Sequence, residues 1–158
     1  MINEKDFRQV MGTFATGVTI VTTRTGEIIH GLTANAFCSV SLAPPLVLVC
    51  VSKTAQSHDL IQRGGCFAVN ILGAPQREVA QRFALDQLPA RERFADLRLR
   101  RAVTGAPILE ECLAWVDCKL AAAHEGGDHT IMVGEVVALG QAATHPPLLY
   151  FRGDYRTL

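Results

Sequence analysis

The chain is expected to be mainly β with peripheral helices, its strands forming a closed or nearly closed antiparallel, Greek-key-like β-barrel. Three observations lead there. Apolar and β-branched runs of strand length recur about seven times, Gly and Pro punctuate them at short intervals, and only about three segments carry helical periodicity. The 158 residues are one domain's worth of chain, and no linker, internal repeat or low-complexity tract divides 1–158. Hydrophobic residues make up 49% and charged residues 19%, with mean hydropathy +0.21. Such a chain can bury a full core without staples, and disorder is excluded.

Phe7, Val10, Met11 and Phe14 recur at i, i+3, i+4 and i+7, which predicts an amphipathic helix over 6–15 with Asn3 or Asp6 as N-cap. Gly17 stops it. Val18 to Thr23 is a β-branched strand, Thr25-Gly26-Glu27 a tight turn, and Ile28 to Phe37 the return strand of a hairpin. Pro44-Pro45 precedes a continuous apolar strand, Leu46 to Val51, whose composition predicts burial on both faces. Ser57 to Arg63 is a short helix stopped by Gly64-Gly65. Cys66 to Leu72 is a further strand, and Pro75 opens a helix through Phe83 and Ala84. The arginine-rich stretch Leu88 to Arg101 is expected to be a solvated surface excursion. Leu113 to Ala123 and Thr130 to Leu139 form two long strands joined across Glu125 to Asp128, and Pro146-Pro147 leads to a last strand, Leu148 to Phe151.

Fifteen Lys+Arg balance fifteen Asp+Glu, so no basic field exists to hold nucleic acid. Near-zero charge with so much apolar content suggests surface covered by a partner subunit. The apolar runs are strand-sized, too short to span a membrane, and the polar start Met1 to Asp6 lacks a signal-peptide core. Five cysteines, odd in number and mostly within apolar runs, read as buried hydrophobes of a reducing, cytoplasmic compartment. No C-x-x-C, H-x-H or H-E-x-x-H occurs. Cys112 and Cys118, six apart on an expected strand and facing one side, read as packing and not as metal ligands. No G-x-S-x-G elbow, P-loop or G-x-G-x-x-G turn is present either.

What remains is His30 to Ser41, dense in small residues and hydroxyls. It reads either as a strand with a polar face and a bulge or as a platform where a flat ligand approaches the backbone. Gly126-Gly127-Asp128-His129 is ordinary turn chemistry when taken alone, and the aromatic and arginine cluster Tyr150 to Arg156 is expected to dock on a partner subunit.

In combination these blocks resemble a known family. They are Phe14 to Thr23, Gly31 to Phe37, Ser39-Val40-Ser41, Pro44 to Cys50, Phe67 to Leu72, Gly127-Asp128-His129 and Tyr150 to Tyr155, in that order. The set resembles the flavin reductase-like family, the reductase components of two-component flavin monooxygenases such as hydroxyphenylacetate and phenol hydroxylases. The resemblance implies an FMN-binding split β-barrel, usually a homodimer. Such proteins bind FMN or FAD, take a hydride from NADH or NADPH, and supply reduced flavin to a separate oxygenase. It implies that Thr33, Ala34, Asn35 and Ala36 lie along the isoalloxazine, with Ser39 and Val40 nearby. Cys50, Val51 and Ser52 would pass beneath the ribityl chain, and Ser57 and His58 would meet the phosphate. Arg82 and Phe83 would sit near the phosphate or adenine end. His129 would position the nicotinamide, framed by Tyr150, Phe151, Arg152 and Gly153. Many members carry Ser where this chain has Ala36, which removes a hydroxyl beside the flavin. A flavin-binding barrel for electron transfer or storage is the alternative. A pyridoxamine phosphate oxidase-like barrel is a further one, left open by Arg152 and Arg156 but poorly matched by the blocks.

Overall fold

The computed structural model describes residues 1–158. In chain order it runs α1 (Glu4–Met11), β1 (Thr16–Gly17), β2 (Thr19–Thr25), β3 (Ile28–Ala34), β4 (Phe37–Leu42), β5 (Pro45–Ser52), α2 (Gln56–Gly64) and β6 (Cys66–Ile71). A 3-10 turn (Ala74–Gln76), α3 (Arg77–Phe83), α4 (Ala90–Arg93), β7 (Leu99–Arg100) and β8 (Ile108–Leu109) follow. The chain ends with β9 (Ala114–Gly126), β10 (His129–Gln141), β11 (Leu148–Phe151) and β12 (Asp154–Thr157). No helix is long and apolar enough to cross a membrane.

Seven strands form one antiparallel sheet in the order β3-β2-β6-β9-β10-β5-β4. Its two edge strands, β3 and β4, are consecutive in the chain and separated only by Asn35 and Ala36. Two residues reach less than about 11 Å, so the sheet must curl until its edges meet. The result is a barrel closed by the chain and split in hydrogen bonding at Asn35–Ala36. The expected single strand from Ile28 to Phe37 is therefore two strands with the split between them.

β2 and β6 are buried on both faces. Val21, Phe67, Val69, Val49, Val51 and Met132 fill the barrel, with Ile61 of α2. Ile20, Ala68, Phe83, Phe94, Ile108, Leu109 and Trp115 form a second core on the opposite face, under α3, α4 and the β7–β8 segment. β5 differs from expectation: Val47, Val49 and Val51 are buried, while Leu46, Leu48, Cys50 and Ser52 are half-buried. Its second apolar face is open because Cys50 and Ser52 line a cleft.

The stretch 88–101 is not uniformly solvated either. Arg93 and Phe94 are buried there, because Phe94 packs edge-on against Phe83 at 5.0 Å and Arg93 bonds main-chain carbonyls. Cys112 precedes β9 and packs in the outer core, whereas Cys118 packs inside the barrel, so the two do not share a face. Burial pushes their thiols up to about 11 and about 12, which keeps both protonated at neutral pH. Cys38 departs from the expected burial and is exposed.

α1 is capped by Asn3, whose side chain accepts from the Asp6 N–H at 2.8 Å, and none of its residues is buried. The C-terminal cluster is a hairpin, β11–β12, that pairs with β1 to form a three-stranded sheet. The β9–β10 hairpin turns over two residues, Gly127 and Asp128, with Gly127 at φ +75°, as a two-residue hairpin loop requires.

Candidate functional site

A cleft of about 520 Å³ opens where the barrel is split. That is within the usual range for a nucleotide-sized ligand. β3 and the split supply His30, Leu32, Thr33, Ala34, Asn35 and Ala36, and the half-exposed face of β5 supplies Cys50 and Ser52. The loop into α2 adds Thr54, Ala55, Gln56 and Ser57, the segment from Phe83 to Gln87 closes the far wall, and His129 stands at the mouth.

Each wall has a local cause. Gly31 carries no side chain because a Cβ there would lie 2.9 Å from the Phe83 ring, so glycine lets α3 settle onto β3. Thr33 donates its hydroxyl to the Ala80 carbonyl at 2.6 Å and tethers the same two elements. The small side chains Ala34, Ala36 and Cys50 leave room for a planar ring against the backbone.

The other end of the cleft is polar. α2 begins there with Ala55 at its N-cap and no side-chain cap, so the Gln56 and Ser57 amides and the positive end of its dipole are available to an anion, while the Ala55 and His58 amides bond the Ser52 and Ala55 carbonyls. Ser52 Oγ and Thr54 Oγ1 lie 2.9 Å apart beside it. His30 Nδ1 lies 2.6 Å from Ser57 Oγ, and both side chains are buried. His30 Nε2 is buried with no partner. Burial first, and the Arg93 charge second, hold the His30 imidazole below its ordinary range, so it is neutral at physiological pH. An uncapped helix N-terminus, two hydroxyls and an orphaned imidazole nitrogen fit a phosphorylated planar ligand such as a flavin nucleotide.

His129 is fixed by the turn before it. Its Nδ1 donates to Asp128 Oδ1 at 2.7 Å, leaving Nε2 for a ligand. That bond, with the imidazole charge, holds the Asp128 carboxyl below the usual carboxylate range. The turn is tied to the loop before α2 by Lys53 N–H to the Asp128 carbonyl at 3.0 Å and by Lys53 Nζ to Glu125 at 2.5 Å.

Of the residues expected from the resemblance, Thr33, Ala34, Asn35, Ala36, Cys50, Ser52, Ser57, Phe83 and His129 line this cleft. Val51 points into the barrel core, and Ser39 and Val40 lie exposed on β4. His58 Nε2 pairs with Thr130 Oγ1 at 2.8 Å, and Arg82 donates to the Ala95 carbonyl at 2.7 Å. Tyr150 lines an adjoining cavity of about 200 Å³ that shares Thr33, Asn35 and Ala84 with the cleft. Arg152 and Gly153 line a third hollow beside Arg8 and Thr13, and Phe151 carries the Arg152 guanidinium 5.1 Å from its ring. Sequence reasoning did not find Leu32, Thr54, Ala55, Gln56, Ala84, Asp86, Gln87 or Arg93. His30 stood inside the motif, but no role in the cleft was read for it.

A split antiparallel barrel with an uncapped helix end beside a flat small-residue wall fits a nucleotide cofactor. Residues 11–158 match the flavin reductase like domain, and the chain belongs to that family. It is 40% identical over 156 residues to the reductase subunit HsaB of a flavin-dependent monooxygenase from Mycobacterium tuberculosis, covering 98% of this chain and 82% of the relative. It is 43% identical over 155 residues to an NADH-dependent flavin reductase of Rhodococcus sp, covering 96% and 84%. Among solved structures, the NADH:FAD oxidoreductase of Streptomyces globisporus in complex with NAD and FAD fragments superposes with TM-score 0.89 at 38% identity. That match covers 99% of this chain and 94% of the other.

Proposed function

We propose that this chain is an NAD(P)H-dependent flavin reductase that reduces FMN or FAD and supplies the reduced flavin to a separate monooxygenase component. The observation that carries the reading is the cleft itself. Its polar end offers the α2 N-terminus and the orphaned His30 Nε2 to a phosphoryl group, and its mouth offers His129 to a second ligand over the flat wall. The relatives' activities support the same reading.

When bound, the flavin supplies the hydride-accepting ring. The chain's work is placement. Ala34, Ala36 and Cys50 leave the ring surface unobstructed, Ser52, Thr54 and the α2 amides fix the phosphoryl end, and His129 orients the nicotinamide through Nε2 while Asp128 fixes its ring. No side-chain nucleophile is needed. The apolar stripe of α1, and Val40 and Leu42 on the β4 edge, are exposed and support a homodimer. Five free thiols support the cytoplasm as its compartment.

The test is NADH oxidation by purified protein with FMN, FAD or no added flavin, repeated with NADPH. Turnover that saturates with added flavin is expected. Flavin binding without turnover from either nicotinamide would replace the reductase with a flavin-storage barrel.

A further inference from the structure

The charged stretch after α3 contains a group that the proposed reaction leaves unused. Arg93, at the end of α4, is the only buried Lys or Arg side chain, with 3% of its surface exposed. Its five N–H donors are all spent on main-chain carbonyls. Nε donates to Leu88 at 2.9 Å, Nη1 to Phe83 at 2.7 Å and Gly31 at 3.3 Å, and Nη2 to Leu85 at 2.5 Å and Asp86 at 3.1 Å. Four of these acceptors belong to the Phe83–Leu88 segment and the fifth to β3. The guanidinium therefore staples the far wall of the cleft onto the strand that forms its near wall.

Buried cations ordinarily have a carboxylate partner, because desolvation costs more than neutral acceptors return. Arg93 forms no ion pair. The opposing charge it feels is the exposed Asp86 carboxylate on the rim. Carbonyl dipoles satisfy its donors without cancelling its charge. Arg93 lines the cleft and donates to the Gly31 carbonyl, next in the chain to His30, and His30 touches Ser57 in the first turn of α2. The cation and the helix N-terminus thus act on one end of the cleft.

We propose that Arg93 is a positioning residue that fixes the Phe83–Leu88 wall and gives the cleft a positive charge that no ion pair neutralises. By that charge the cleft prefers a flavin bearing a phosphoryl group over riboflavin, although every donor of Arg93 is already engaged. The inference rests on the flavin reading and names what selects the ligand within it. At a protein-like effective dielectric, a unit charge several ångströms from a phosphoryl group is worth about a tenfold preference or more.

The experiment is titration of flavin fluorescence with FMN and with riboflavin, on wild type, Arg93→Met and Arg93→Lys. Wild type is expected to favour FMN by about tenfold or more, and Arg93→Met to lose most of that ratio. Arg93→Lys keeps the charge with three donors, so both ligands weaken while their ratio stays within about twofold. An unchanged ratio in Arg93→Met, or an equal collapse in Arg93→Lys, overturns the charge and leaves only a staple. If circular dichroism shows that neither variant folds, Asp86→Asn decides. Removing that rim carboxylate is expected to raise the FMN preference about twofold or more, and an unchanged or lower preference overturns the proposal. Wild type that binds both flavins equally sinks the Arg93 proposal and the phosphoryl role of the α2 end but leaves a flavin-binding cleft, whereas wild type that binds neither sinks the flavin reading as well.

Discussion

His129 and His30 show how one residue type is set to two tasks by its surroundings. His129 is half-exposed at the cleft mouth with Nδ1 committed to Asp128, so its free nitrogen meets whatever stacks there. His129→Ala is expected to raise the KM for NADH about tenfold, the loss of one hydrogen bond in a dry complex, while the Kd for FMN stays within about twofold. Equal losses in an NADH saturation curve and a flavin titration would contradict the assignment. His30 is buried and neutral, with its pKa lowered from 6.5. The unfolded chain therefore binds a proton that the folded chain does not, between the depressed folded value and 6.5. Stability is expected to fall as pH drops through that window and to level off below it. His30→Gln is expected to flatten that slope in denaturant titrations across the window. An unchanged slope would mean that His30 is not the group responsible. Sequence could single out His129 because its neighbours form a motif, whereas the bond between His30 and Ser57 joins residues 27 apart and leaves no local trace.

At the scale of the element, the legible parts were those in which composition and period agree. β-branched residues mark β2, the glycine pair marks the end of α2, and both appear where expected, with Gly65 in the left-handed region at φ +65°. Gly64 answers a tertiary demand: a Cβ there would lie 2.2 Å from the Arg24 carbonyl of β2, a backbone atom that cannot step aside. Gly64→Ala is expected to cost about 1–3 kcal/mol, read from the midpoint of urea unfolding. A midpoint equal to that of wild type would show that α2 does not press on β2. β5 misled because a run of apolar residues looks the same whether its second face meets a core or a ligand cleft. Arg93 misled for a related reason. Its acceptors are main-chain carbonyls, which any residue type supplies, so an arginine-rich run reads as solvated.

At the scale of the molecule, the split barrel locates the cleft: the two residues that join its edge strands are cleft residues themselves. The resemblance carried the fold and half of the cleft lining, but not Thr54 to Gln56 at the start of α2 or Ala84, Asp86, Gln87 and Arg93 on the far wall. One surface has no partner within the chain. Phe7, Val10, Met11 and Phe14 are between 51% and 71% exposed, and burying each is worth about 1.5–3 kcal/mol. Sedimentation is expected to give about twice the 17.1 kDa chain mass, and the Phe7→Asp, Phe14→Asp double variant to approach a single chain. A monomeric wild type would contradict the dimer.

The proposed reaction requires one cleft to bring a flavin and a reduced nicotinamide together. The most direct measurement mixes the protein–FMN complex with NADH under anaerobic conditions and follows the visible flavin absorbance. Rapid bleaching that saturates with NADH and slows in His129→Ala is expected. A complex that binds FMN but keeps its oxidised spectrum with both NADH and NADPH would contradict it.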